Sequence, residues 1–468
     1  APGMPDAPDA GIDGPPPPPV GWAKAFGGAG RDVLNGIALG SNGDIVTGGS
    51  FEGTVSFGGA SLASKGERDA VVVKFDMTGK HIWSKAFGGP SYDDVIAVAL
   101  DSAGNVYVVG RFTTSIDVDG MPLTPNGSAT NGGFVAKLDG MTGGRLWAFG
   151  FGVINASEFQ QPDAIAVSAD GTKLAISGQF FGTANFGGSA LTHAGAGDAF
   201  VATYATANGA HLWSRAFGGT WIDEASGVAF DGSEGVIIVG HYGGPAQFGG
   251  PQPLATQDAS LPSDVFVARY AASNGAYVWA NGYGSNGSDS ASAVRVSGGS
   301  VFVAGKFFPN PGGAISLGGS PLMTAGTNDG FVAKYDAATG SHIWSKSLGG
   351  TSDDRAIDLA ATDQVWVAAE FSGTTQIGNA NYTSAGISDV AYGSLGLAAG
   401  TIGASGAFGG SDVDTIAGIV ASQTVLCIAG SFGQDSPANP PPIYSTTVFG
   451  NPLSGAGRID VFIGCKAP

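Results

Sequence analysis

Residues 336–350 read DAATGSHIWSKSLGG, and the chain repeats the phrase with substitutions at 76–89 (DMTGKHIWSKAFGG) and at 205–219 (ATANGAHLWSRAFGG). A polar turn ending in glycine, an alternating run centred on tryptophan and a closing Gly-Gly describe a turn followed by a strand. Gly340, like Gly79 and Gly209, takes the positive φ that other residues resist, and the tryptophan supplies a wide apolar surface. Aligned on the tryptophan, the copies fall at Trp22, Trp83, Trp147, Trp213, Trp279 and Trp344, and a seventh, ASGAFGG, carries Ala404 in that slot. The spacings of 61, 64, 66, 66, 65 and 60 residues define seven units. Each is too small to bury an apolar face alone, so the units must stack on one another.

Composition agrees with many short strands and tight turns. Glycine supplies 81 of the 468 residues, 43% are hydrophobic and 12% are charged. A disordered chain lacks that much apolar material, and long helices do not tolerate that much glycine. The formal charge of −18, from 20 basic and 38 acidic residues, argues against nucleic acid or an anionic membrane as partner, since both need clustered Lys and Arg. No run reaches the roughly 18 apolar residues of a spanning helix. No basic segment followed by an apolar stretch opens the chain, so its start reads as that of a processed protein. Residues 1–20, with Pro15 to Pro19 in succession, are expected to form an extended linker or tether, leaving 21–468 for the folded domain.

Within the second unit, VIAVALD (95–101), NVYVVGRF (105–112), GFVAKLD (133–139) and RLWAFGF (145–151) are apolar and β-branched runs bounded by turn residues. Their recurrence predicts an all-β, seven-bladed β-propeller with four-stranded blades, strands A to D running from the axis outward. The Gly and Ala positions of strand A let seven backbones crowd around the axis, and the tryptophans of strand D fill the wedge at the rim. The double glycine is expected to let strand D turn sharply towards the next blade. The domain opens with a D strand, WAKAFGG (22–28), and closes with a C strand, RIDVFIGC (458–465), so the N-terminal strand completes the seventh blade in a 3+1 closure that leaves no free sheet edge.

At DAFVATY (198–204) and GNVYVVG (104–110) the chain resembles the bacterial seven-bladed β-propeller repeat family (SBBP type), over residues 22–468. Members are mostly secreted or surface proteins, so the resemblance implies a location outside the cell or on the outer-membrane surface of a bacterium. The composition of residues 1–20 resembles the tails that follow the lipidated cysteine of surface lipoproteins, although that cysteine is absent.

Strand alternation puts the B-to-C and D-to-A connections on one face and the short A-to-B and C-to-D turns on the other. The first face collects the irregular segments 152–162, 308–314 and 433–447, and long loops on a rigid scaffold are where binding resides. An acidic residue recurs six positions after the phenylalanine of the FGG motif, or its substitute, in six of the seven units: Asp32, Asp93, Asp223, Asp289, Asp354 and Asp414. Two readings stand. The six carboxylates collect a cation or a basic partner at the channel mouth, or each accepts backbone N–H groups in its own turn; recurrence in nearly every blade favours the second. The same holds for Asp69, Asp198, Asp264, Asp329, Asp389 and Asp460, which open strand C.

Catalytic patterns are missing. Three of the five histidines, His81, His211 and His342, share one repeat position, and His193 and His241 have no acidic or cysteine partner at ligand spacing, so neither metal nor cofactor is expected. SIDVDGMP (115–122) lacks the remainder of a calcium loop. No G-x-S-x-G and no phosphate loop occurs. LDGMTGGRLW (138–147) and YDAATGSHIW (335–344) are similar to the tryptophan-docking repeat of quinoprotein dehydrogenases, but those enzymes have eight blades and a vicinal cysteine pair, which makes quinoprotein chemistry the remote alternative. Cys427 and Cys465 fall on neighbouring strands of the closing blade and are expected to form a disulfide. Arg295 and Asp358 replace the usual small residues of strand A and predict an ion pair between blades near the channel. The expectation is a non-enzymatic propeller that binds or scaffolds a protein or glycan through its long-loop face. A lectin, with Trp221, Tyr242 and Tyr444 as stacking platforms, is the alternative. A membrane is reached only through the N-terminal tether, and self-assembly follows if residues 1–20 are ordered.

Overall fold

The computed structural model describes residues 21–232, 234–256, 263–308, 313–434 and 444–468, and every regular element among them is a β-strand. The expectations for the 1–20 tether and for parts of the segments 308–314 and 433–447 lie outside the described residues. Blade 1 spans 33–87, blade 2 93–153, blade 3 159–217, blade 4 224–283, blade 5 288–350, blade 6 354–408, and blade 7 414–466 together with Trp22–Phe26. In blade 1, strands A (Val33–Leu39), B (Ile45–Phe51), C (Asp69–Phe75) and D (His81–Phe87) pair antiparallel in that order, and the other blades repeat the plan. Each A strand touches the A strands on both sides, which closes a ring of seven.

The apolar core lies between blades rather than inside them. Seven clusters of buried side chains occupy the seven junctions, one each. Strands B and C are buried on both faces and therefore read as near-continuous hydrophobic runs, as in Ile45–Phe51 and Asp69–Phe75.

At the rim, the indole N–H of each D-strand tryptophan is donated to a carbonyl in the C-to-D turn of the following blade. Trp22 bonds Met77 O (3.1 Å), Trp83 Gly140 O (3.2 Å), Trp147 Thr206 O (3.1 Å), Trp213 Ala272 O (3.0 Å), Trp279 Ala337 O (3.1 Å) and Trp344 Leu397 O (3.1 Å). The turn glycine meets the same ring. Gly275 has φ +68°, and a Cβ there would lie 2.6 Å from Trp213 Cε3; Gly340 has φ +70°, and its Cβ would lie 2.8 Å from Trp279 Cε3. Backbone conformation and indole contact thus both demand glycine, which is why turn and tryptophan recur together.

Ala404 has a structural reason. Its D strand, Ile402–Phe408, faces blade 7, whose C strand (Ile459–Lys466) and D strand (Trp22–Phe26) come from opposite ends of the chain and share no connecting turn. An indole there would find no turn to dock on. Lys466 lies at this seam instead, its ammonium 4.9 Å from the Tyr392 ring centre and 5.7 Å from that of Phe449.

The closing strand pairs from Trp22↔Cys465 to Phe26↔Val461. Phe26 stacks on Phe75 of blade 1 with ring centres 5.2 Å apart, so this strand both finishes blade 7 and enters the next junction. Cys427 and Cys465 stand opposite each other on strands B and C of blade 7 and are joined by a disulfide.

Two outcomes follow. Gly275→Ala should cost about 2–3 kcal/mol in chemical denaturation, against about 1 kcal/mol for Gly171→Ala, which shares φ +68° but meets nothing within 4 Å; equal costs would remove the indole contact from the account. Alkylation of the denatured, unreduced protein should label neither Cys427 nor Cys465, and reduction should lower stability by about 4 kcal/mol in the loop-entropy picture for a separation of 38 residues.

Candidate functional site

All seven A strands are irregular at the same place. A register shift sets one extra residue against strand B in six blades, at Asn35, Ile96, Asp163, Ser292, Ile357 and Ala417, and spans Ala225–Ser226 in blade 4. A bulge re-aims a side chain, and these residues line the channel, a cavity of about 280 Å³. Four of the seven positions are polar (Asn35, Asp163, Ser226, Ser292) and three apolar (Ile96, Ile357, Ala417). Arg295 Nη2 lies 2.7 Å from Asp358 Oδ1 across the channel wall, and Asp358 Oδ2 accepts the Ile419 N–H at 3.0 Å, tying blades 5, 6 and 7.

The insert-bearing mouth holds one ring of positions that does not repeat. The strand B residue before the phenylalanine, or before Tyr242 in blade 4, is Ser50, Arg111, Gln179, His241, Lys306, Glu370 and Ser431 in turn. Across from it on strand A stand Val33, Asp94, Gln161, Glu224, Ser290, Arg355 and Thr415. In two blades the pair is an acid and an arginine, Asp94 with Arg111 (3.3 Å) and Glu370 with Arg355. Glu370 also accepts the Ile416 N–H of blade 7 at 2.9 Å. Three cavities lie on this mouth. One of about 490 Å³ includes Asp163, Glu224, His241 and Lys306; one of about 350 Å³ includes Lys306, Arg355 and Glu370; one of about 480 Å³ is formed by Arg31, Glu52, Glu67, Arg68, Tyr92 and Arg458. The sequence signal for the site was a strand B column in which the internal repeats disagree beside a phenylalanine or tyrosine that recurs.

The aromatic platforms expected for a lectin do not assemble. Trp221 is 53% exposed, but Tyr242 is fully buried with its hydroxyl donated to Ala255 O at 2.9 Å, and Tyr444 is 8% exposed within the core between blades 6 and 7. Tyr242 ends strand B of blade 4 and Tyr444 precedes the insert strand Ser445–Val448, and both side chains point inward.

Asp32, Asp93, Asp223, Asp289, Asp354 and Asp414 head the A strands and are at most 2% exposed. The Oδ2 of each accepts the N–H of the residue four before it, Gly28, Gly89, Gly219, Ser285, Gly350 or Gly410, at 2.6–2.8 Å. They brace the D-to-A turns. Asp69, Asp198, Asp329, Asp389 and Asp460 do the same for the turns into strand C, accepting Lys65, Ala194, Ala325, Ala385 and Ala456 at 2.6–3.1 Å.

The double glycine serves this arrangement, and the expected reason for it needs correction. Neither glycine at 88–89 or 349–350 has a positive φ. A Cβ on Gly88 would instead lie 2.0 Å from the Asp69 carboxyl, and one on Gly89 would lie 1.8 Å from Ser115 O of the next blade's insert hairpin. Close approach, not a sharp turn, excludes a side chain. At the junction of blades 2 and 3 both acids are absent together: Gly132 opens strand C, and Gln160 Oε1 takes over the turn bond from Val153 N–H at 2.9 Å.

Burial pushes the carboxyls of Asp32, Asp93, Asp223, Asp289 and Asp354 up to about 7 and that of Asp414 up to about 6; the strand C acid nearby adds to the rise, and the turn N–H opposes it. Burial likewise raises Asp69, Asp198, Asp389 and Asp460, and takes Asp329 to about 6. Every junction except that of blades 2 and 3 thus holds two carboxyls that resist being ionised together. Among the described residues no group of three or more His, Cys, Asp or Glu is arranged to hold a metal ion.

These carboxyls hold a proton more tightly in the fold than at their ordinary value of 3.8, so their contribution to stability is complete at low pH and is lost as pH rises through about 6–7. Burial lowers His81, His211 and His342, which oppose this once pH falls below 6.5. The urea midpoint should therefore rise on acidification from about pH 8 to 6.5. Asp354→Asn, which keeps an acceptor for Gly350 N–H, should be more stable than the parent at pH 8, by a margin that shrinks as pH falls; a midpoint that drops across this window would contradict the buried carboxyl pairs.

The sequence profile of the family described as SBBP, Beta-propeller repeat, matches residues 82–111. Regulatory protein FlaEY of Caulobacter vibrioides is 26% identical over 322 residues, 64% of this chain and 32% of that protein, so the match spans about a third of the relative's length. An uncharacterized WD repeat-containing protein of Acanthamoeba polyphaga mimivirus is 31% identical over 101 residues, 19% of this chain and 7% of that one. Among solved structures, BamB from Moraxella catarrhalis is 11% identical with a TM-score of 0.38, covering 92% of this chain and 85% of that one. Quinohemoprotein alcohol dehydrogenase from Comamonas testosteroni is 10% identical with a TM-score of 0.40, covering 96% and 76%. The chain is a seven-bladed β-propeller that carries the beta-propeller repeat and is closed by its own first strand.

Proposed function

We propose that this propeller is a non-enzymatic binding or scaffold module of the cell envelope or exterior, engaging a protein partner through its insert-bearing face. The observation that carries the reading is the non-repeating ring at that mouth: Ser50, Arg111, Gln179, His241, Lys306, Glu370 and Ser431 vary while the residues that hold the blades together recur. Positions released from the scaffold and facing one mouth are where recognition can be written. The opposite face carries short turns braced by their own polar side chains, as Asp76 accepts the N–H groups of Thr78 and Lys80 and Asn208 that of Ala210. The disulfide suits an oxidising compartment. A glycan is the weaker reading, because of the three aromatic platforms only Trp221 is exposed.

A photo-cross-linking residue placed at Trp221 on the insert side, or at Met141 in a C-to-D turn of the other side (85% exposed), should separate the faces in the native host. A discrete protein adduct is expected from position 221 and none from 141. Adducts only from 141, or from neither, would overturn the assignment of the working face.

A further inference from the structure

The cavity of about 490 Å³ between blades 3 and 5 differs from the rest of the mouth in how its charges are left. Its lining is polar except for Ala291 and contains no Phe, Tyr or Trp. Asp163 is the one acid among the seven bulge positions. Its Oδ1 accepts Gln161 Nε2 at 2.9 Å, while its Oδ2 is buried and has no hydrogen-bond partner. Glu224, on the same cavity, receives among the described residues only the neutral Ser226 hydroxyl at 3.0 Å, and burial, opposed by Glu224 and helped by the charge of Lys306, lowers the hold of the His241 across from it on a proton. Lys306 faces Ser290 where other blades pair acid with arginine, and among the described residues no hydrogen bond or ion pair engages its ammonium.

Two under-satisfied carboxylates and an unpaired ammonium on the walls of one cavity are complementary to a molecule with opposite charges at its two ends. A buried carboxylate is costly until a cation reaches it, and a charge-assisted bond meets that cost better than a hydroxyl. A sugar ring would find no Phe, Tyr or Trp to stack on here, and a phosphate would meet three acids, Asp163, Glu224 and Asp289, for one lysine. We propose that this cavity binds a zwitterionic ligand of the amino-acid or short-peptide class, its ammonium against Asp163 and Glu224, its carboxylate on Lys306, and its remaining polar groups on the hydroxyls of Ser288 and Ser290. The proposal rests on the reading that the insert-bearing mouth is the working face. A cavity of this size accommodates a di- or tripeptide.

The test is calorimetric titration of the purified full chain with glycine, glycylglycine and triglycine, and with glycylglycine blocked either by N-acetylation or as the C-terminal amide. Saturable binding of at least one unblocked probe is expected, about tenfold weaker or worse with either end blocked. Asp163→Asn should reproduce the loss caused by N-acetylation, and Lys306→Gln that caused by amidation. The blocked probes on the unaltered protein give the same discrimination if either variant misfolds. No saturable binding by any unblocked probe, or equal binding of blocked and unblocked glycylglycine, would overturn the proposal. Adducts at position 221 do not depend on a small ligand, so failure here leaves the choice of face standing.

Discussion

A buried indole N–H is costly to leave without an acceptor, and every strand D tryptophan finds one in the neighbouring blade, whereas Trp366 on strand B of blade 6 is buried without one among the described residues. Six tryptophans each reach 53 to 59 residues along the chain to a turn carbonyl, over a glycine whose missing side chain makes room for the ring. That contact sets the distance between blades at the rim of six junctions, where apolar clusters fill the space it defines, and Lys466 stands at the seventh. Stability is therefore a sum of neighbour-to-neighbour terms, as in other repeat architectures, with the ring adding one term that an open array lacks.

Closer to the axis the same economy of parts appears. One pair of glycines accommodates, at once, a carboxyl from its own blade and the backbone of the next blade's insert hairpin. The acids need each other's geometry but not each other's charge, and the junction between blades 2 and 3 shows the solution without charge, Gln160 opposite Gly132. Because rim and junction carry the mechanical work, the residues at the insert-bearing mouth are released from it. His241, Lys306, Glu370 and Gln179 occupy equivalent sites and differ in charge and hydrogen-bonding chemistry.

Seven units, four strands to a unit, the borrowed closing strand, the Cys427–Cys465 pairing and the Arg295–Asp358 contact were all legible in the sequence, since each follows from periodicity or from counting along a strand. The purpose of the double glycine was not, because its cause is the approach of Asp69 and Ser115, residues distant in sequence. Nor were the bulges, which leave no mark in a run such as VIAVALD. Tyr242 and Tyr444 sit beside irregular inserts, and composition alone does not say which way such a side chain faces. The mouth was within reach of the alignment that revealed the repeats, had its disagreements been weighed like its agreements.

The borrowed strand also governs how the molecule comes into being. Of the strands of the ring, Trp22–Phe26 is made before the others and its partner Ile459–Lys466 after them, with most of the 468 residues between the two. At ordinary translation speeds that interval is roughly 20–90 s. Throughout it the nascent chain carries an unclosed arc, with a bare strand at one end and an unfilled wedge at the other. A chaperone or a translocation channel that shields those two ends would act for nearly the whole time the propeller is being made, and its service would end when the circle shuts.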